Sequence, residues 1–138
     1  MSGKLAVTVI WCMVAALLLK FTSAWGALPD RVAVHFGMSM QPNGWSSKSS
    51  LAVIALAAVI GQAALGTWLV LRLGTLGSFF PWTQVLTTAV LVCAFWQVIT
   101  YNANKTPFHA FWVFGPMVVL FASLAVFFGD LMLRMSKR

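Results

Sequence analysis

Four apolar runs separated by short polar stretches organise the chain: Leu5 to Trp25, Leu51 to Leu71, Trp82 to Tyr101 and Phe111 to Leu133. A hydrocarbon core about 30 Å thick needs roughly 20 helical residues to cross it, and each run has that length. Backbone groups in lipid must be satisfied within their own element, and the runs lack the alternation of barrel strands. The pattern therefore predicts an all-α integral membrane protein. A single domain over residues 1–138 has four transmembrane helices at about 5–25, 50–72, 82–101 and 111–133. A structured outer loop, 26–48, joins helices one and two. Most tryptophans fall toward the run ends, where interfacial aromatics sit.

Composition supports lipid as the main solvent. The 138 residues are 61% hydrophobic and 8% charged, and Asp30 and Asp130 are the only acids. Soluble domains carry about 25% charged residues. The net charge of +7 does not signal nucleic acid, because the basic residues lie singly at the ends of apolar runs rather than in a patch. With the N-terminus inside, Lys4, Arg72, Arg134, Lys137 and Arg138 are cytoplasmic, while Arg31, Lys48 and Lys105 lie outside with Lys20 near them. This bias predicts cytoplasmic N- and C-termini. Asp130 and Arg134 are spaced for a local ion pair on the last helical turn. Lys4, the first apolar run and Ser23 to Ala27 also resemble a secretory signal, but the run is long for one and Lys20 interrupts it. An uncleaved helix is the expectation. Cys12 and Cys93 have no partner spacing and are expected as small buried packing residues.

The connections are unequal. An inner Gly-rich turn covers 74–81 and ends in Pro81, and a polar outer loop covers 102–110. In the long outer loop, Val32, Val34 and Phe36 alternate with Arg31, Ala33 and His35, which predicts a short extended segment. Pro42-Asn43-Gly44 predicts a turn, since proline presets one dihedral angle and Asn-Gly tolerates positive φ. Trp45 and Lys48 then lead into the second helix.

The string Leu28-Pro29-Asp30-Arg31, His35-Phe36, Pro42-Asn43-Gly44-Trp45 and Lys48 resembles the signature of a bacterial membrane module of unknown function. That module forms the N-terminal part of SdpI-type toxin-immunity proteins and also occurs alone. The resemblance covers residues 28–48 closely, with the placement of the helices and Tyr101 to Asn104 in support. It implies a multi-pass protein of the bacterial cytoplasmic (inner) membrane with an immunity-like role. The chain departs from the family pattern at Ala33, where a second proline is usual, and at Met40, where glycine is usual. Gln41 and Asn43 stand where acidic residues are common. The second membrane domain of SdpI-type proteins does not fit in this length.

Polar residues inside the apolar runs are the remaining candidates. Cys93, Gln97, Thr100 and Asn104 form one stripe on the third helix, and Gln62 lies mid-way along the second. Such groups bond between helices or line a polar path. Ala57 and Gly61 suggest a close-packing face, and Gly115-Pro116 a bend in the fourth helix. His35 and His109, with Asp30, would suit a metal ion or a proton-handling pair. Either histidine would also suit a haem or chlorin, although neither spacing is a known ligand pattern. No cofactor is predicted, and no enzyme motif is present. The preferred expectation is a non-catalytic membrane protein, an accessory subunit of a larger membrane complex or an immunity-like module. Its partners are membrane lipid and either another membrane protein or further copies of itself. A small oligomeric transporter or channel, and a metal- or tetrapyrrole-binding protein using His35 or His109, are the competing classes.

Overall fold

The computed structural model describes residues 2–37, 39–73, 79–107, 109 and 111–136. The chain runs through α1 (Gly3–Ala24), β1 (Arg31–Phe36), β2 (Pro42–Ser47), α2 (Lys48–Leu73), α3 (Phe79–Asn104) and α4 (Phe111–Ser136). Three of these, Gly3–Ala24, Lys48–Arg72 and Phe79–Asn104, are long and apolar enough to cross a membrane. A further apolar helical stretch, Phe114–Val126, is shorter. The chain is thus a mostly helical membrane protein with a β-hairpin between its first two helices.

The first two helices start where a serine side chain satisfies a free backbone donor. Ser2 caps α1 through Leu5 N–H donating to its Oγ at 3.3 Å. Ser47, the last residue of β2, accepts from Ser50 N–H at 3.0 Å and so opens α2 without any linker. Pro81 lies inside the first turn of α3, where proline is tolerated because its nitrogen has no intrahelical acceptor to serve. The expected turn ending at Pro81 is therefore helix from Phe79 onward, and its residues 74–78 lie outside the described residues. The Asp130 and Arg134 side chains lie outside them as well. At the far end α3 continues three residues past Tyr101, then stops at Lys105. Lys105 takes a left-handed φ of 55° and donates its N–H to Tyr101 O at 2.9 Å.

The first three helices make the core. Ala6, Ile10, Val14, Leu17 and Phe21 of α1 are buried at steps of four and three, against Leu51, Ala55, Val59, Ala63 and Val70 of α2. From α3 come Val85, Thr88, Val92, Val98 and Ile99. Gly66 marks a crossing point. A Cβ there would lie 3.3 Å from Gln84 Oε1 and 3.7 Å from Ile10 Cδ1, so a small residue lets the three helices approach. The expected close-packing pair is elsewhere: Ala57 and Gly61 are exposed, and nothing lies within 4 Å of a Cβ on Gly61. Since lipid-facing and core-facing sides are both apolar, composition alone does not tell one face of α2 from another. Cys12 is likewise exposed rather than buried, and Cys93 is half-buried.

Helix α4 packs against α3 and stands outside this three-helix core. It passes through Pro116 without ending. Its aromatic side chains Phe111, Trp112, Phe114, Phe121 and Phe128 are all exposed, Phe111 at 75%. The described helices thus form a three-helix core with an outlying fourth helix.

Candidate functional site

The outer loop folds into an antiparallel hairpin, and its register departs from simple alternation. Arg31 pairs with Ser47, Val32 with Ser46 and Ala33 with Trp45; then the register shifts, His35 facing Gly44 and Phe36 facing Pro42. The irregularity leaves Val34 and Asn43 as extra residues, one on each strand. Consequently Val32 and Ala33 are both buried, while Val34 and His35 are both exposed. The extended segment expected from the alternation of Val32, Val34 and Phe36 with Arg31, Ala33 and His35 is β1 itself, but burial does not alternate along it because of this bulge.

The turn is also displaced from its expected place. Pro42, Asn43 and Gly44 belong to β2, and the reversal lies between Gly37 and Gln41. Gly37 N–H donates to Gln41 O and Met40 N–H to Gly37 O, both at 2.9 Å, with Met40 at φ 59°. Gly44 serves close approach instead of a turn: a Cβ there would sit 2.8 Å from His35 Cβ. His35 Nδ1 and Asn43 Oδ1 are hydrogen-bond partners across the hairpin.

Two side chains seat the hairpin on the helices. Asn102, 1% exposed, accepts Ala33 N–H on its Oδ1 at 2.8 Å and donates from Nδ2 to Ala33 O at 2.9 Å. The same Nδ2 donates to Val98 O at 2.8 Å. The amide thus takes the place of a third strand along the inner edge of β1. Phe36 rests edge-on against Tyr101, with ring centroids 5.0 Å apart.

On the other side, Lys48 N–H donates to Asp30 O at 2.9 Å and closes the mouth of the hairpin. Its Nζ donates to Trp25 O at 3.1 Å and Leu28 O at 3.2 Å, and lies 4.7 Å from the centre of the Trp25 ring. A cation at carbonyls left over at a helix end is favoured by the helix dipole as well as by the hydrogen bonds. Leu28 is buried beneath, while Asp30, Arg31, His35, Asn43 and Trp45 face outward, Trp45 at 52%. The residues of the Leu28 to Lys48 string therefore divide into those that build the hairpin and those that it displays.

The remaining sequence candidates do not converge on it. Gln62 Nε2 donates to Gln84 Oε1 at 3.4 Å, a long contact between α2 and α3. Gln97 Oε1 accepts from His109 N–H at 3.5 Å, and Gln97 with Cys93, Trp96 and Trp112 lines a cleft of about 380 Å³ between α3 and α4. Thr100 Oγ1 is buried without a hydrogen-bond partner, and Asn104 is exposed. Among the described residues, Asp30, His35 and His109 form no group of three metal-ligating side chains. The residue that carries most, Asn102, was expected in a polar outer loop. The signal for it was its helical spacing, four after Val98 and three after Ile99, which puts an amide on the core face of α3.

These features define a small helical membrane protein whose first two helices are joined by an anchored β-hairpin. A family described as a domain of unknown function (DUF1648) matches residues 11–61, the stretch from within α1 through the hairpin into α2. No curated protein and no solved structure matches the chain.

Proposed function

We propose that the protein is a non-catalytic membrane module that engages another membrane component through its hairpin, as an accessory subunit or an immunity-like protein. The observation that carries this reading is the anchored hairpin. It is fixed at Ala33 and Lys48 and displays Arg31, His35 and Trp45 outward. Aromatic and arginine side chains on a rigid support are the groups that dominate binding surfaces. The resemblance of the Leu28 to Lys48 string to SdpI-type immunity proteins supports the immunity-like form. The exposed aromatic face of α4 supports the subunit form.

In this reading α4 is a fourth span of a bacterial cytoplasmic membrane, and both termini are cytoplasmic. The hairpin and the connection around Lys105 to His109 then face outward.

Purification from native membranes in a gentle detergent, with mass spectrometry of what stays bound, tests the proposal. A stoichiometric membrane partner that is lost from a Trp45→Ala, Arg31→Ala double variant supports recognition through the hairpin. A homo-oligomer without partners that passes ions in vesicles would overturn it in favour of a transporter.

A further inference from the structure

We propose that a groove between α1 and α3, on the hairpin side of the membrane, binds the headgroup of an anionic phospholipid through Lys20. The groove is shallow and open to its surroundings, lined on α1 by Ala16, Leu19, Lys20, Thr22 and Ser23 and on α3 by Trp96. Lys20 is half-buried in it, with Nζ 5.4 Å from the centre of the Trp96 ring. Ser23 Oγ and Thr22 Oγ1 donate back to α1 carbonyls, to Lys20 O at 2.9 Å and to Leu18 O at 3.0 Å. Their hydroxyl oxygens keep lone pairs, and among the described lining residues the ammonium is the only full charge.

Charge complementarity identifies the occupant. Asp30 is the one acid whose side chain is described, and no carboxylate is paired with Lys20 among the described residues. Lys20 lies four residues before the end of α1, about 6 Å below it at 1.5 Å per residue. A lysine at that depth reaches the interface with its stem lying along apolar surface. There the phosphodiester of an anionic phospholipid supplies the missing negative charge without the choline cation that offsets it in phosphatidylcholine, and the acyl chains cover Ala16 and Leu19. Trp96 stands at the same level, where indoles favour the headgroup boundary. A lone phosphate ion would satisfy the ammonium but leave the apolar wall uncovered. The phospholipid answers both.

The test uses the full chain in a mild detergent, titrated with phosphatidylglycerol or phosphatidylcholine and read by native mass spectrometry of retained lipid. Wild type is expected to retain phosphatidylglycerol about fivefold more than phosphatidylcholine, the preference that one lysine near an anionic headgroup contributes. Lys20→Met should abolish the preference, Lys20→Arg should keep it, and Lys105→Met, at an exposed lysine outside the groove, should leave it unchanged. Equal retention of the two lipids by wild type would overturn the proposal without any variant. So would a preference that survives in Lys20→Met, or one that millimolar inorganic phosphate removes, since the last would make the groove a site for a free anion.

Discussion

Asn102 holds both backbone groups of Ala33 at once, its Oδ1 accepting the N–H at 2.8 Å and its Nδ2 donating to the carbonyl at 2.9 Å. Sixty-nine residues separate the two in sequence. The pair couples the hairpin to the end of α3 through an amide that behaves as a short piece of β-strand. Asn102→Leu removes the side-chain partners but leaves the buried Ala33 groups in place. Each buried backbone group left unsatisfied costs about 1–3 kcal/mol. The variant is expected to lower thermal stability in detergent and to speed hydrogen exchange at the Ala33 amide, while α1 and α2 stay helical. Unchanged exchange at Ala33 would mean that the hairpin is held by something else.

Lys48 makes the second anchor, with two carbonyls and the Trp25 ring. Lys48→Met keeps the stem and removes the charge. Hydrogen bonds from a charged donor contribute about 1.5–3 kcal/mol, discounted here because the ammonium is not fully buried. Limited proteolysis should therefore cut the segment between Trp25 and Arg31 faster in the variant than in wild type. Equal cutting rates would leave Lys48 as a topology marker only.

Gly44 is required by its approach to His35 and not by a turn. Gly44→Ala places a methyl 2.8 Å from His35 Cβ, and the backbone of one strand must move. Overpacking of this kind costs about 1–3 kcal/mol. Gly37→Ala meets Asn43 Nδ2 at 3.3 Å, a side chain able to shift, and should cost less. The order of the two melting temperatures checks this. Were position 37 the more sensitive, the bulge at Val34 and Asn43 would not be what demands glycine.

The outlying position of α4 makes the number of spans a measurable quantity. Ser2 and Ser39 lie beyond opposite ends of α1 and are both exposed. In a background lacking Cys12 and Cys93, Ser39→Cys should react with an impermeant thiol reagent from outside and Ser2→Cys should not. A tag after Arg138 should be protected together with Ser2→Cys. A tag accessible on the Ser39 side would show that α4 does not cross.

How much of this was legible beforehand depends on the range of the interaction. Membrane residence, the helical class and the approximate helix positions follow from composition and from the length of each apolar run. Both are local properties, and lipid leaves the backbone little choice but helix. The Leu28 to Lys48 string was also visible, because its residues are adjacent. Its folding was not. Alternation grouped Val34 with Val32 and Phe36, and Pro42-Asn43-Gly44 predicted a turn, whereas the bulge exposes Val34 and the reversal lies at Gly37–Gln41.

What only the tertiary structure decided is which face of each helix meets protein. In water, polar residues mark the outer face; in lipid both faces are apolar, so Gly61 and Gly66 look alike until Gln84 and Ile10 are found beside Gly66. The same holds for the amides. Gln62 stood out by its place in a run and Gln97 and Asn104 by their shared stripe, yet Asn102 is the one buried against a strand edge 69 residues away. Its partner is set by the height at which α3 ends relative to the hairpin, and that height comes from the packing of α3 against α1 and α2, which no local pattern encodes.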